Sequence, residues 1–368
     1  MIWNSQQNSA LKAVDKWFYQ ESKKKQIFRI FGYAGTGKTT LARHFAENID
    51  GDVCYAAFTG KAALMMRKNG CFGATTIHSI IYKPEVDSKG RVTFKLNRSS
   101  TIKDAALIII DECSMVDAEL ARDLLSFKVP ILVLGDPAQL PPVKGAGYFT
   151  ECEPDIMLTE IHRQASENPI IYLATEIRNG RMPDLGTYGE SRILASIGKQ
   201  DAIDADQIIV GRNATRETMN KKMRKLLGID SMLPIKGDKL ICLRNDSQLG
   251  IFNGGMFIVD QVLMENQKFK IPFMSMTVDS DDDSVLPTMV KVHKSFFSDE
   301  VPVPKDWKVL KESQEFDFGY AITCHKSQGS QWENVLIYDE SWCFRDDWQR
   351  WLYTAITRAS EKITMVKS

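Results

Sequence analysis

The sequence predicts an α/β protein built on doubly wound parallel sheets, with a small hairpin insertion early and a β-rich insertion late. Three observations carry that expectation. A glycine-rich segment holding Gly32, Gly35, Gly37, Lys38 and Thr39 stands between a strand-like and a helix-like stretch. The stretches 105–110 and 131–134 are apolar at every position, as strands buried on both faces are. Between about 236 and 318 helical periodicity gives way to short β-like pieces separated by turn residues.

Taken in order, residues 27–31 read as a strand entering the glycine-rich turn. Residues 40–46 read as a helix leaving it, with Leu41 and Phe45 on one face. A strand at 53–58 precedes a helix at 61–68, which Gly70 is placed to end. Residues 83–98 contain Asp87-Ser88-Lys89-Gly90 between short strand-like pieces and read as an inserted hairpin. A second alternating set opens near Met157. It holds a helix from Pro169 to Arg178, strands at 208–210, 335–338 and 363–366, a helix from Thr215 to Leu227 closed by Gly228, and a helix through Leu352 and Ile356. The β-like pieces include Phe257-Ile258-Val259, Phe269-Lys270-Ile271 and Met289-Val290-Lys291-Val292, with Asp281-Asp282-Asp283 as a solvated tip. The expected domains are 1–152 with the hairpin at about 83–100, 153–235 joined to 319–368, and a small barrel at 236–318.

The 368-residue chain is 43% hydrophobic and 26% charged, ordinary values for a globular protein of two core domains. Its formal net charge of zero excludes a uniformly basic coat but not a basic groove balanced elsewhere. Seven scattered cysteines with no C-x-x-C pair fit neither a zinc site nor a disulfide framework, so free thiols in a reducing cytoplasm are expected. The N-terminus lacks the basic and apolar regions of a secretion signal, and no apolar run is long enough to span a bilayer.

Gly32-Tyr33-Ala34-Gly35-Thr36-Gly37-Lys38-Thr39 has the spacing of a nucleotide-phosphate loop, and Thr40 continues it into the helix. Glycines let backbone N–H groups curl around phosphates, and the helix N-terminus adds orphan donors and a positive dipole. Lys38 is placed to meet the β/γ oxygens, and the Thr39 hydroxyl to hold Mg²⁺. Asp111 and Glu112 close the strand-like run 105–110, where ligands bind in open α/β sheets. Asp111 would orient Mg²⁺ and Glu112 would polarise the attacking water; alone, the pair could equally be a helix cap beside a solvated neighbour. Gln139, in Gly135-Asp136-Pro137-Ala138-Gln139, can reach a γ-phosphate or its water, although the prolines around it also suit a stiffened turn.

The phosphate loop, Thr59-Gly60-Lys61-Ala62-Ala63, Thr75-Thr76-Ile77-His78-Ser79, Asp111-Glu112 and the Gln139 segment occur in the order seen in superfamily 1 DNA helicases. The second half follows suit, with Leu158-Thr159-Glu160-Ile161-His162-Arg163-Gln164, Tyr320-Ala321-Ile322-Thr323-Cys324-His325-Lys326-Ser327-Gln328-Gly329-Ser330 and Tyr353-Thr354-Ala355-Ile356-Thr357-Arg358-Ala359. The chain resembles the RecD/Dda-type branch from about residue 3 to its C-terminus. That resemblance implies two RecA-like P-loop NTPase domains, an SH3-like barrel at 236–318, and ATP with Mg²⁺ as cofactors. It makes Gln7 an adenine reader, with Gln6 a one-residue alternative, and makes Arg163 and Arg358 the two arginines presented to the γ-phosphate. Thr59, Gly60, Lys61, Thr76, His78, Thr323, His325, Lys326 and Ser327 would contact the DNA strand; phosphate contacts of this kind position a strand without reading its sequence. Buried, hydrogen-bonded roles stay open for His78 and His325. The run Lys221-Lys222-Met223-Arg224-Lys225 suits a solvated face better than a DNA track, and Trp332, Trp342, Trp348 and Trp351 could stack on bases or fill the core.

The implied activity is an ATP-dependent DNA helicase translocating on single-stranded DNA and unwinding duplex DNA. The hairpin at 83–98 serves as its wedge, and the 5′-to-3′ direction comes from the branch resemblance. Its alternatives are a single-stranded-DNA-stimulated ATPase or translocase that remodels nucleoprotein without efficient unwinding, and an RNA-directed motor. A monomer is expected, since both arginines lie in cis, with replication or recombination proteins as partners.

Overall fold

The computed structural model describes residues 3–86, 92–141, 147–160, 168–246, 249, 251–263, 272–280, 287–298, 300–304 and 313–367. Arg163, the tip Asp87-Ser88-Lys89-Gly90, the piece Phe269-Lys270-Ile271 and the acidic run Asp281-Asp282-Asp283 lie outside the described residues. Two units emerge. One comprises Met1–Pro183, Gln328–Gln331 and Phe344–Arg358; the other comprises Asp184–Ser327, Trp332–Cys343 and Ala359–Ser368.

The first unit is organised by six parallel strands: β1 (Ile27–Gly32), β2 (Val53–Ala57), β3 (Thr75–Thr76), then, past a hairpin of β4 (Tyr82–Val86) and β5 (Val92–Leu96), β6 (Leu107–Asp111), β7 (Ile131–Gly135) and β8 (Ile156–Leu158). Their order is β3-β2-β6-β7-β1-β8. The central strand β6 shows why its sequence is apolar throughout. Ile109 joins one core cluster with Trp17, Leu41, Phe45 and Leu132, while Ile108 and Ile110 join another with Phe31, Leu120, Leu124 and Val133. Both faces are dry, and each such side chain contributes roughly 1.5–3 kcal/mol by burial. Parallel pairing also aligns the C-terminal ends of β1, β6 and β7, so Gly32, Asp111 and Gly135 come to one edge.

The division differs from the expected one at residue 153. β8 pairs with β1, Ile30 opposite Ile156 and Gly32 opposite Leu158, so the stretch expected to open the second domain extends the first sheet. Gly32 permits that approach: a Cβ there would lie 2.9 Å from the Leu158 Cβ. The helix Pro169–Arg178, with its expected bounds, and the helix Trp348–Ile356 also pack within this unit. The hairpin pairs Tyr82 with Leu96 and Val86 with Val92, and Phe94 on it is 70% exposed.

In the second unit, β9 (Gly186–Tyr188), β10 (Ser191–Leu194), β11 (Gln207–Val210), β17 (Ala321–Thr323), β18 (Trp332–Tyr338) and β19 (Ala359–Val366) form a sheet in the order β17-β11-β18-β19-β10-β9. All pairs are parallel except the edge pair β9–β10. The helix Asn213–Leu226 is tied to β17 by Asn220, whose amide donates to the Ala321 carbonyl (3.0 Å) and accepts from its N–H (2.9 Å). Within the basic run, Lys221, Lys222 and Lys225 are exposed as expected. Arg224 is not: it is buried and paired with Asp238 at 2.9 Å, joined by the Tyr320 hydroxyl at 3.0 Å.

Between β11 and β17 the chain builds a five-stranded antiparallel sheet from β12 (Lys239–Cys242), β13 (Met256–Val262), β14 (Phe273–Ser280), β15 (Thr288–His293) and β16 (Phe316–Phe318), ordered β15-β14-β13-β12-β16. Phe257, Met276, Val278, Val290 and Phe316 fill its inner face. A bulge interrupts the β13–β14 register between Val259 and Gln261, and an isolated bridge pairs Val292 with Gln314, two residues before β16. All seven cysteines are free. No described helix is long and apolar enough to cross a membrane.

Candidate functional site

The turn after β1 has the geometry a phosphate loop needs. Gly35 and Gly37 adopt φ of 79° and 78°, a region L side chains rarely visit, and Gly37 starts the helix Lys38–Ala46. Thr36 is buried and donates its hydroxyl to the Tyr33 carbonyl at 2.8 Å. Lys38 folds back across the loop, its ammonium donating to the carbonyls of Gly32 (2.7 Å) and Tyr33 (3.1 Å). Thr40 lies on the first helical turn, partly buried.

Thr39 donates its hydroxyl to Asp111 Oδ2 at 2.6 Å, so the two oxygen groups expected to hold a cation already meet. Burial and then the Glu112 charge push the Asp111 carboxyl above the usual carboxylate range, against the Thr39 hydrogen bond and Lys38. Glu112 sits in the left-handed region (φ 51°, ψ 47°), an uncommon conformation for a non-glycine residue and one that clusters at functional sites. Gln139 is buried, and among the described residues its side-chain oxygen has no hydrogen-bond partner.

Arg358 reaches the same place. It is 5% exposed, donates to the carbonyls of Ser330 (3.2 Å) and Thr354 (3.1 Å), and brings Nη1 to 4.0 Å from Glu112 Oε1. Lys38, Thr39, Asp111, Glu112, Gln139 and Arg358 together line one cavity of about 270 Å³. Sequence reading did not single out the Tyr353 hydroxyl. It accepts from the Ala34 N–H at 2.8 Å and donates to buried Asp136 at 2.7 Å, linking the phosphate loop to the Gln139 turn. The one signal was its place five residues before Arg358 in a quoted motif.

Gln7 is placed beside the loop but not as an open base reader. It is 2% exposed, and its amide is engaged at both ends: it accepts from the Asn4 N–H (3.0 Å) in a capping box and donates to the Thr36 carbonyl (3.0 Å). Gln6 instead binds the chain at Thr159 and Glu160, next to the undescribed 161–167 stretch.

The expected strand contacts fall into two groups. In the first unit Thr59 and Thr76 cap the helices Gly60–Lys68 and Ile77–Ile81, accepting from Ala62 (3.1 Å) and Ser79 (3.2 Å). Gly60 is buried and Lys61 half-buried, while His78 is exposed and packs edge-on to Phe58 at 5.9 Å. Partial desolvation lowers the His78 pKa, against the Asp117 charge. In the second unit Thr323 ends β17, His325 is half-buried and Lys326 exposed. Ser327 is fully buried and donates to the Cys324 carbonyl at 2.7 Å, so it closes the turn rather than facing a strand.

Residues 3–198 match the family model for an AAA domain, and residues 318–366 match that for a UvrD-like helicase C-terminal domain. The chain is 27% identical over 368 residues to the ATP-dependent RecD2 DNA helicase of Deinococcus radiodurans, covering 90% of this chain and 45% of that protein. It is 34% identical over 177 residues to the ATP-dependent DNA helicase dda of Enterobacteria phage T4, covering 43% of this chain and 39% of that protein. The chain thus aligns with less than half the length of either relative. A solved structure of two coordinating Pif1 helicases at forked double-stranded DNA superposes with a TM-score of 0.64 at 20% identity, covering 100% of this chain and 92% of that one, which shows a common fold.

Proposed function

The chain belongs to the AAA-domain family, and from that premise we propose that it is an ATP-dependent DNA helicase that moves along single-stranded DNA and separates duplex DNA. The observation that carries this reading is the cavity that joins the phosphate loop, the Thr39–Asp111 pair, Gln139 and Arg358. ATP bound with Mg²⁺ would supply the transferable phosphoryl group. The donors fit a hard cation: two protein oxygens stand together, and Mg²⁺ ordinarily completes its shell with water and phosphate.

In this reading Lys38 leaves the Gly32 and Tyr33 carbonyls for the β/γ oxygens. Glu112 orients the attacking water, and the unpartnered Gln139 oxygen accepts a hydrogen bond from it. Arg358 stabilises charge on the phosphoryl group, with Arg163 as a second cation. Gln7 positions the loop near the adenine end. Thr59, Gly60, Lys61, Thr76 and His78 of the first unit, and Thr323, His325 and Lys326 of the second, contact the strand, with Ser327 shaping the last of these turns. Both six-stranded sheets are assigned as RecA-like, and the five-stranded insertion as SH3-like.

The hairpin with exposed Phe94 acts as the wedge. Each base-pair step opened costs roughly 1.4 kcal/mol of stacking, so a rigid wedge helps by blocking reannealing. Its strands are only five residues each, which favours as second reading a translocase that displaces bound protein without efficient unwinding. The protein is proposed to act as a monomer, 5′ to 3′, in the cytoplasm.

Unwinding of matched 5′-tailed and 3′-tailed DNA duplexes with ATP tests this. The expected result is strand separation of the 5′-tailed substrate. If both duplexes stay annealed while single-stranded DNA still accelerates ATP turnover, the translocase reading replaces it. Equal stimulation by RNA would overturn the DNA assignment.

A further inference from the structure

The tryptophans of the C-terminal region separate sharply. Trp351 is fully buried, Trp332 nearly so and Trp348 partly, whereas Trp342 is 62% exposed. An indole left in water forgoes a large burial term, and exposed Trp is enriched where it serves as a binding anchor. Its surroundings give it a partner and a rigid seat. The Arg212 guanidinium lies 5.2 Å from the Trp342 ring centroid, within cation–π range, while its side chain remains 53% exposed.

Arg212 is held by one buried carboxylate, Glu340, which stands two residues before the indole in sequence. Glu340 accepts from the backbone N–H groups of Gly211 (2.8 Å) and Arg212 (3.0 Å), from Arg212 Nε (2.7 Å) and from the Thr215 hydroxyl (2.6 Å). The following turn is pinned by Ser341 N–H to Asp339 Oδ1 at 3.0 Å and by Cys343 N–H to the Glu340 carbonyl at 3.0 Å. The loop bearing the indole is therefore braced before any ligand arrives.

Position supplies the ligand class. β17, β11 and β18 are neighbours and parallel, so the segments after their C-terminal ends lie along one edge of the sheet. Thr323 ends β17 with His325 and Lys326 just after it, Arg212 follows β11, and Trp342 lies four residues after β18. Adjacent strands are about 4.8 Å apart, which sets the end of β18 roughly 10 Å along the edge from the end of β17. A polar and basic contact line thus ends on an aromatic face with a cation beside it, the combination that holds unpaired bases without reading sequence.

We propose that Trp342 and Arg212 form a stacking platform for an unpaired base of single-stranded DNA, the indole taking the base face and the guanidinium the adjoining phosphate. This subsite rests on the DNA-motor reading above.

The test uses the full chain and fluorescein-labelled (dT)16, read by anisotropy without nucleotide across a salt series. Trp342→Ala is expected to weaken binding about 5- to 150-fold while leaving the salt dependence unchanged, because stacking releases no counterion. Trp342→Phe keeps most of the affinity and Trp342→Leu, of similar bulk, does not. Arg212→Ala lowers the slope of log affinity against log salt by about 0.7, the loss of one phosphate contact on a single strand. Wild-type affinity in Trp342→Ala, or a Leu variant as good as Phe, would overturn the platform and leave the motor reading standing. If the wild-type protein itself fails to bind (dT)16, both fall. If Trp342→Ala keeps its (dT)16 affinity but loses self-association in sedimentation, Trp342 belongs to a protein interface and the platform is rejected.

Discussion

The two parallel sheets end in the same kind of edge and use it in opposite ways. After β1 the chain makes a long glycine-rich turn, and the N-cap of the helix that starts at Lys38 is Gly37, which has no side chain to cap it. After β11 the turn is two residues, Gly211 and Arg212, and the helix that starts at Asn213 meets Glu340. A helix N-terminus with its loop donors attracts an anion. In the first unit that place is the one proposed above for the nucleotide phosphates. In the second it is filled by the protein's own carboxylate. One architecture therefore carries the proposed nucleotide site at one edge and a braced scaffold at the other, and the difference lies in the loop, not in the sheet.

The largest effects come from removing the cations at the first edge. Arg358→Ala is expected to reduce ATP turnover by roughly 10³-fold or more, the lower end of what a phosphate-directed arginine contributes. Lys38→Ala is expected to cost about 10²–10³-fold, the scale for removing one charge-stabilising donor. Steady-state phosphate release measures both, and turnover intact in Lys38→Ala would remove the basis for calling this edge a nucleotide site.

Opening the second edge is the converse experiment. Glu340→Ala leaves the Gly211 and Arg212 N–H groups unpaired and should lower unfolding free energy by about 2–4 kcal/mol in urea titration. Added sulfate should stabilise the variant more than the wild type, beyond the general kosmotropic gain that both receive. A variant as stable as wild type would mean that the helix N-terminus is satisfied without Glu340.

Tyr353→Phe probes the brace inside the first unit. Removing the hydroxyl leaves buried Asp136 without its 2.7 Å donor and the Ala34 N–H without its acceptor, for an expected loss of about 1–3 kcal/mol. Thermal melting reads it, and an unshifted transition would show that the phosphate loop does not depend on this link.

The smallest expected effect is acid sensitivity. Burial alone would raise the Glu340 pKa, but its hydrogen bonds from Thr215, Arg212 and Gly211 outweigh that and hold it below the ordinary 4.5. A carboxylate depressed on folding contributes stability above its unfolded pKa and loses it as pH falls through the folded value. Below about pH 4.5 the wild type should therefore lose stability more steeply than Glu340→Gln, measured by urea midpoints at successive pH values. Parallel slopes would assign the acid response to other groups.

Most of the sheet was legible in the chain because strands buried on both faces must be apolar throughout. Ile108, Ile109 and Ile110 announce themselves, and so do Leu132, Val133 and Leu134. The phosphate loop was legible because only glycine meets φ near 78° without strain. The edge strand β8 was not, since three residues carry too little pattern and its pairing depends on a gap left by Gly32. The charged run around Arg224 misled for a related reason. Composition marks a solvated face, but a buried Asp238 fourteen residues on turns one member inward.

The site residues divide the same way. Spacing singled out Lys38 and Thr39, and the buried strand before Asp111 and Glu112, read with that loop, singled out the pair, because strand, turn and cation chemistry are local. The engagement of Gln7 by the Thr36 carbonyl and the burial of Ser327 depend on contacts that one-dimensional spacing does not specify. So does the single exposed indole among the C-terminal tryptophans. By itself the sequence determined which segments become buried parallel strands and which turn can cradle a phosphate, since steric and hydrophobic rules act within a few residues. Only the tertiary structure decided that Arg358 and Tyr353 share the first unit with that turn, and that Glu340 fills the matching place in the second. Those pairings join residues more than a hundred positions apart, and only the packing of distant segments brings them together.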